Sequence, residues 1–151
     1  MTDRRDSVTQ TYEADDEFFA PRRQSTVLYR DGFCTLTDDD IAINSYFFPG
    51  VAKHIPLTNI ESAYTDRDLE LPWYSKKVNG LSSDGATWWA LDWRRAMPFV
   101  EETHEGVLLQ VKDDWLRKGF SVEDTHRFMP LLRRAVDRAR ENQRRNSSTS
   151  I

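Results

Sequence analysis

The chain has 151 residues, of which 38% are hydrophobic and 12% aromatic, so we expect one folded domain with a sizeable core. Its net charge of −4 argues against a dedicated nucleic-acid binder, for which a basic surface is the usual signature. Cys34 is the only cysteine, which excludes a disulfide within the chain, and no apolar run approaches the ~20 residues of a membrane span. We therefore expect a cytoplasmic location.

The charge is unevenly distributed and divides the chain into three predicted parts. Residues 1–24 carry four arginines and six acids without periodicity, and we interpret them as a disordered N-terminal tail. Residues 25–140 are predicted to form the domain, and residues 141–151 a frayed polar C-terminal tail. The segment 133–151 carries six arginines and two acids, so a basic end follows an acidic body.

Short segments of alternating polarity predict strands from residue 26 onward. TVLYR, FCTLT, IAINSYF, AKHIPL and IESAY are separated by turn residues, including an Asp-Gly and a Pro-Gly pair. In the third segment Ile41, Ile43 and Phe47 share one parity, which predicts that they face the core. Pro56 predicts that the fourth segment is an edge strand or ends there.

A long connection and a tryptophan-rich strand are predicted next. Residues 66–86 contain one proline, two glycines and a polar Ser-Ser-Asp, and we interpret them as a loop or lid with an irregular strand near 74–78. The following TWWALDWR alternates as a strand does. Its parity puts Trp89, Leu91 and Trp93 on one apolar face, which predicts that Trp89 and Trp93 lie in the core. It puts Trp88 on the mixed, polar face.

Two strands and one helix complete the predicted domain. GVLLQVK and WLRKGF are predicted strands joined by an Asp-Asp turn. Ser121 is predicted to cap a helix whose apolar stripe runs from Phe128 to Ala139. Pro130 predicts a kink, or a regular helix that begins only near residue 130. The order of elements predicts a mainly β fold: a small antiparallel barrel of about seven strands capped by one C-terminal amphipathic helix.

Two parts of the sequence carry a resemblance to a known family. YRDGFCTLTDDDIAINSYFFPGVAKHIPLTNIESAY and GVLLQVKDDWLRKGFSVEDTHRFMPLLRRAV resemble prokaryotic pleckstrin-homology-like domains, with some similarity to GRAM domains. The resemblance covers roughly residues 27–136 and implies a capped barrel. In eukaryotic relatives a basic cluster on the first strands holds phosphoinositide phosphates, whereas TLTDDDIAI places three aspartates there. The resemblance therefore implies the fold but not an inositol-phosphate site.

The spacing of the histidines and the motifs present give little support for an enzyme. His54, His104 and His126 lie tens of residues apart, and we prefer to interpret EETHE, Glu101 to Glu105, as a solvated acidic loop rather than a cation site. G-x-S-x-G, G-x-x-x-x-G-K-[ST] and G-x-G-x-x-G motifs are absent from the sequence. We predict a protein that is not an enzyme, with no metal and no cofactor.

Binding is the remaining class of function, and three surfaces are candidates. The first is a basic patch in which loop lysines meet arginines from a strand end beside an aromatic side chain; the second is the single tryptophan on the polar face; the third is the basic face of the helix. These candidate residues are Lys76, Lys77, Arg94, Arg95 and Trp73, then Trp88, then Arg133, Arg134, Arg138 and Arg145.

The sequence leads to one main functional hypothesis and two alternatives. We predict a non-catalytic binding module that acts through protein–protein contact or self-association, using an edge strand, the 66–86 loop or the helix. One alternative is a domain that binds anionic lipid peripherally through the basic patch. The other is a small-ligand carrier or enzyme with a cavity inside the barrel.

Overall fold

A computed structural model describes residues 23–97 and 105–150, apart from the side chain of Trp73. The predicted tail before residue 23 and the acidic stretch up to residue 104 lie outside the described residues. Nine strands and one α-helix are described. They are β1 Val27–Arg30, β2 Cys34–Thr37, β3 Asp40–Ile43, β4 Lys53–Pro56, β5 Ile60–Thr65, β6 Gly80–Leu81, β7 Thr87–Trp89, β8 Glu105–Val111, β9 Asp114–Val122 and α1 Thr125–Thr149.

The first four strands form one antiparallel sheet in the order β1-β2-β3-β4. Its inner face is fully buried at Leu36, Ile41 and Ile43, as the alternation predicts. β4 lies at the sheet edge and ends at Pro56, which confirms the prediction from proline. The prediction for Phe47 is wrong, because β3 ends at Ile43 and Phe47 follows in an exposed loop.

The other five strands form a second sheet in the order β5-β8-β9-β7-β6. The β8–β9 hairpin lies in its centre, and Val107, Leu109 and Phe120 contribute to the core. β7 runs parallel to β9, which corrects the expectation of antiparallel neighbours throughout. The parallel pair arises because β7 comes from a separate β6–β7 hairpin that docks on the free edge of β9.

The main core lies between the two sheets and the helix. Phe128 of α1 packs edge-on against Tyr29 of β1 at 5.1 Å and against Phe120 of β9 at 6.0 Å between ring centroids. The helix therefore contacts both sheets at once. Among the described strands, hydrogen bonds join two separate sheets rather than one continuous barrel. The coarse prediction of a mainly β fold with a C-terminal helix is confirmed.

The helix begins later in the chain than its predicted cap. Asp124 is the N-cap and accepts a hydrogen bond from the backbone N–H of Arg127 at 3.1 Å. The prediction for Ser121 is wrong, because β9 continues through Val122 by pairing with β8. The helix already includes Pro130, which is exposed, so the regular part is not delayed to residue 130.

The end of the helix and its stripe can also be compared with the sequence. The helix continues to Thr149, and residues 141–150 are exposed. That these last turns fray stays a prediction. The predicted stripe is confirmed at Phe128, Leu132, Ala135 and Val136, which are buried. No helix in the described ranges is long and apolar enough to cross a bilayer.

A second buried layer covers the outer face of the second sheet. Trp89 is fully buried there, over two strand glycines: a Cβ added at Gly119 would lie 2.6 Å from the Trp89 ring, and one at Gly106 3.0 Å from it. The burial of Trp89 is confirmed, but the prediction for Trp93 is wrong. β7 ends at Trp89 and a 3-10 turn at residues 93–96 follows, so Trp93 is 65% exposed.

The 66–86 connection forms part of this second layer. Asp66 is buried there, accepts the backbone N–H of Gly106 at 3.0 Å and forms an ion pair with Lys76. The predicted strand near 74–78 is a 3-10 turn at residues 73–75, and the strand lies at Gly80–Leu81 instead. The connection is thus anchored on the sheet at Asp66 and again through β6.

Candidate functional site

The β3–β4 connection carries a run of exposed apolar residues. Its residues Phe47 to Ala52, which we call the loop tip, are all exposed, and their sequence FFPGVA contains no polar side chain. Phe48 is 69% exposed, Val51 57% and Phe47 48%. Single exposed apolar residues are ordinary, but a contiguous apolar patch is typical of an interaction site.

Hydrogen bonds inside the connection give the loop tip a defined shape. The backbone N–H of Tyr46 donates to Val51 O at 3.3 Å, and that of Val51 donates to Phe48 O at 3.2 Å. The Ser45 hydroxyl accepts the backbone N–H of Gly50 at 2.9 Å. Gly50 has a φ of +78°, which glycine adopts without strain. The loop is therefore closed by its own backbone contacts.

The base of the loop is anchored to the second sheet. The carbonyl oxygen of Tyr46 accepts hydrogen bonds from Trp88 Nε1 at 3.0 Å and from Asn79 Nδ2 at 3.1 Å. Ser45 O accepts the backbone N–H of Leu91 at 3.0 Å. A loop fixed at its base loses little conformational entropy on binding, so these contacts favour recognition by a preformed surface.

Aromatic rings connect the anchored base to the exposed tip. Phe47 packs edge-on against Tyr46, with ring centroids 4.7 Å apart, and lies 5.4 Å from the Trp88 ring. Lys53 Nζ lies 5.3 Å from the Phe47 ring and 5.6 Å from the Tyr46 ring, within cation–π distance. Trp88, which parity singled out, therefore supports this surface rather than standing alone.

Burial and charge around Tyr46 fit this supporting role. Tyr46 is fully buried and its hydroxyl has no hydrogen-bond partner in the described structure. Burial, followed by the nearby Asp114 carboxylate, raises the pKa of the Tyr46 hydroxyl. The hydrogen bond from Lys118 at 2.6 Å is the main reason that the pKa of Asp114 is lowered. Asp114 is thus ionised at neutral pH, and its charge acts on the Tyr46 hydroxyl.

The loop of the predicted basic patch does reach the strand end, since Arg95 donates to Lys77 O, but two of its four cations are enclosed in the fold. Lys76 is enclosed with Asp66, and its side chain is 11% exposed. Arg95 is 7% exposed; its guanidinium donates to Lys77 O at 2.7 Å and to Ser121 Oγ at 2.7 Å. Two of the four predicted cations therefore make their contacts inside the domain.

The other residues of the predicted basic patch, and Trp88, are exposed or half-buried where the structure describes them. Arg94 is exposed on the 3-10 turn, and Lys77 is half-buried. The side chain of Trp73 lies outside the described part of the structure. Trp88 is half-buried and joins the loop base. Lipid binding through these residues stays a prediction.

The predicted helix face carries exposed arginines with local partners. Arg134 donates to Pro130 O at 3.3 Å, and Arg145 pairs with Glu141 at 3.2 Å. Such exposed pairs contribute little to stability. Arg133 and Arg138 are also exposed. The helix face therefore keeps its basic character.

Potentially reactive side chains elsewhere are buried or hydrogen-bonded within the domain. The Cys34 thiol is buried, and this burial raises its pKa, which opposes thiolate formation. Ser121 donates to the buried carboxylate of Asp92, which also accepts the backbone N–H of Arg94 at 3.0 Å. Within the described ranges no group of three or more His, Cys, Asp or Glu could hold a metal ion.

Sequence reasoning missed the loop tip. Parity extends the predicted third strand through Phe47, and the Pro-Gly pair predicts only a turn. The signal that could have identified the tip is the length of the uncharged run: residues 41–52 contain no charged side chain, and the first cation is Lys53. Comparison with protein families, with curated proteins and with solved structures finds no match to this chain.

Proposed function

We propose that this chain is a non-catalytic, pleckstrin-homology-like binding module of the cytoplasm, and that its loop tip contacts a protein. The observation that carries the proposal is the run of six exposed apolar residues, Phe47 to Ala52, on a loop hydrogen-bonded to the second sheet. Rigid aromatic anchors of this kind dominate the binding free energy of protein interfaces.

The arrangement of the domain supports the finer assignment of its fold. The C-terminal helix packed on both sheets of a mainly β chain agrees with the helical cap that the resemblance implies. Two departures from the implied barrel are that the described strands form two separate sheets and that β7 runs parallel to β9.

A protein is favoured over an anionic bilayer because of the charges. The chain has a net charge of −4, which opposes approach to an anionic surface. Lys76 and Arg95, half of the predicted basic patch, are engaged inside the fold. Lys53 is the one cation with described contacts to the rings of the tip region, and about 1 kcal/mol per exposed cation gives weak membrane binding.

Site-specific photocrosslinking in the native cell tests this proposal. A benzophenone amino acid replaces Phe48 in one full-length variant and Trp115 in a matched control, since Trp115 is 76% exposed outside the loop tip. We expect discrete protein adducts from position 48 and none from position 115. Equal yields of protein adducts at the two positions, or none at either, would overturn the proposal.

A further inference from the structure

A groove separates the C-terminal part of the helix from the turn between β2 and β3. It has a volume of about 450 Å³. Asp38, Asp39 and Thr58 form one wall. The other wall is a stripe of uncharged helix residues that runs from Ala139 to Ser150 and includes Asn142, Gln143 and Asn146. We call this space the helix groove.

The stripe along the helix groove continues the buried face of the helix. Phe128, Leu132 and Ala135 lie in the core, and the groove residues follow them at the same spacing of three or four positions. The charged residues of this part of the helix are not among those that line the groove; they are Glu141, Arg144 and Arg145. The face of the helix that is turned to the domain therefore changes from apolar to polar without gaining a charge.

No described residue covers this stripe. Residues 141–150 are all exposed, and no hydrogen bond joins the side-chain amides of Asn142, Gln143 and Asn146 to another described residue. Asparagine, serine and threonine are poor helix formers, and a helical extension that packs on nothing is marginal in water. The helix nevertheless continues to Thr149. We therefore expect a further contact along the stripe.

The first described residues of the chain lie beside the helix groove. Arg23 lies 4.0 Å from the Asp38 carboxylate, which also accepts the backbone N–H of Thr26 at 2.9 Å. The Ser25 hydroxyl donates to Asp39 at 2.7 Å. Asp38 and Asp39 both line the groove. The residues that precede Arg23 are therefore tethered next to the groove, which gives them a high effective concentration there.

We propose that residues 18–22 of the same chain, with the sequence FFAPR, bind in the helix groove as an extended segment. The stripe from Ala139 to Ser150 is about 16 Å long at the rise of an α-helix, and five extended residues span about the same length. The proposal narrows the predicted disordered tail to the residues before position 18. It concerns a surface separate from the loop tip and is independent of the proposed function.

The chemistry of the segment matches both walls of the groove. Ala20 precedes a proline, which favours extended backbone at that position. An extended segment offers its N–H and C=O groups, and the amide side chains of Asn142 and Asn146 can both donate to and accept from them. Arg22 adds a positive charge at the end of the groove where Asp38 already lies near Arg23. Phe18 and Phe19 supply the apolar area of the contact.

Disulfide trapping in the dilute full chain tests the position of the segment. Phe19→Cys is combined with Asn146→Cys in the groove or, as the matched control, with Arg144→Cys on the opposite side of the helix. The native Cys34 is buried and gives no competing reaction. Under mild oxidation the first pair should close at least about tenfold faster than the second. Equal rates, or disulfides formed only between two copies of the chain, would overturn the proposal.

Hydrogen exchange of the last helical turns tests the contact from the side of the helix. We expect the double variant Phe18→Ser with Phe19→Ser to accelerate exchange of the amides of residues 143–148 at least about fivefold relative to the wild-type chain. Tyr12→Ser removes an aromatic residue before the segment and is the control, which should leave these rates unchanged. Equal exchange in the wild-type chain and the double variant would contradict the proposal, because the segment would then not cover the helix.

Discussion

The indole of Trp88 on β7 donates a hydrogen bond to the carbonyl of Tyr46 at 3.0 Å and so joins the exposed loop of one sheet to the other sheet. The same Trp88 ring lies against Phe47, the first residue of the loop tip. A strand-borne side chain therefore sets the position of a surface that belongs to a connection. The loop tip is accordingly part of the rigid fold.

Replacing Trp88 with phenylalanine should loosen this link. Trp88→Phe keeps an aromatic ring but removes the donor to Tyr46 O, which still accepts from Asn79. We expect the free energy of unfolding to fall by about 1 kcal/mol, measured by urea denaturation, and hydrogen exchange of the loop amides to accelerate. Trp115→Phe is the control and should change neither quantity, because Trp115 is exposed.

Gly119 should not tolerate a methyl group. A Cβ at this position would lie 2.6 Å from Trp89 Cε3 and 2.9 Å from Thr87 Cγ2. We expect Gly119→Ala to lower the unfolding free energy by about 1–3 kcal/mol in thermal or urea unfolding. Gly32→Ala is the matched control: its nearest neighbour is the flexible Glu123 carboxylate at 3.6 Å, so its effect should be clearly smaller. Equal effects would show that the Trp89 contact is not the cause.

Neighbouring arginines should respond differently to the same substitution. Arg95→Lys loses the guanidinium hydrogen bonds to Lys77 O and Ser121 Oγ and the stacking over Trp89 at 4.6 Å. We expect about 2–3 kcal/mol lower stability in chemical denaturation. Arg94→Lys should stay within about 0.5 kcal/mol, because Arg94 is exposed. A reversed order would contradict the buried position of Arg95.

Acid should remove the contribution of Asp114 to stability. The hydrogen bond from Lys118 is the main cause that lowers the folded-state pKa of Asp114. A lowered pKa stabilises the fold above the ordinary aspartate pKa of about 3.9, and this stabilisation is lost as the pH falls through the folded-state pKa. Asp114→Asn should therefore cost about 1–2 kcal/mol at pH 7, with water screening the partly exposed carboxylate, and much less in acid.

Urea midpoints at pH 7 and in acid measure this difference directly. Asp113→Asn is the adjacent control: Asp113 is exposed with a φ of 59°, a conformation that asparagine tolerates. Its free energy of unfolding should change by less than about 0.5 kcal/mol at either pH. A penalty for Asp114→Asn that does not shrink in acid would show that the Asp114 charge is not the stabilising group.

The regular parts of the fold follow from local patterns in the sequence. The alternation around Leu36 and Ile41 and the helical stripe that includes Leu132 each predict a face that is buried in the structure. Such patterns report burial on one strand or helix at a time. They do not report where the element ends, which is why parity placed Trp93 in the core and Phe47 on a strand.

The site depends on contacts between distant segments, and this limits its prediction from sequence. Lys76 and Arg95 are charged residues, and nothing in the sequence around them predicts that they contact Asp66 and Ser121. The bond from Trp88 to Tyr46 joins residues 42 positions apart. Long-range pairing of this kind is set by how the two sheets meet, so the anchoring of the loop tip could be described only from the structure.

The yield of protein adducts at position 48, relative to position 115, tests the central claim most directly. The account predicts a high ratio in the native cell, because Phe48 lies in a protein interface and Trp115 is merely exposed. Further substitution of Phe47 to serine should lower the adduct yield at position 48. A ratio near one, or adducts unaffected by Phe47→Ser, would contradict the loop tip as the binding surface.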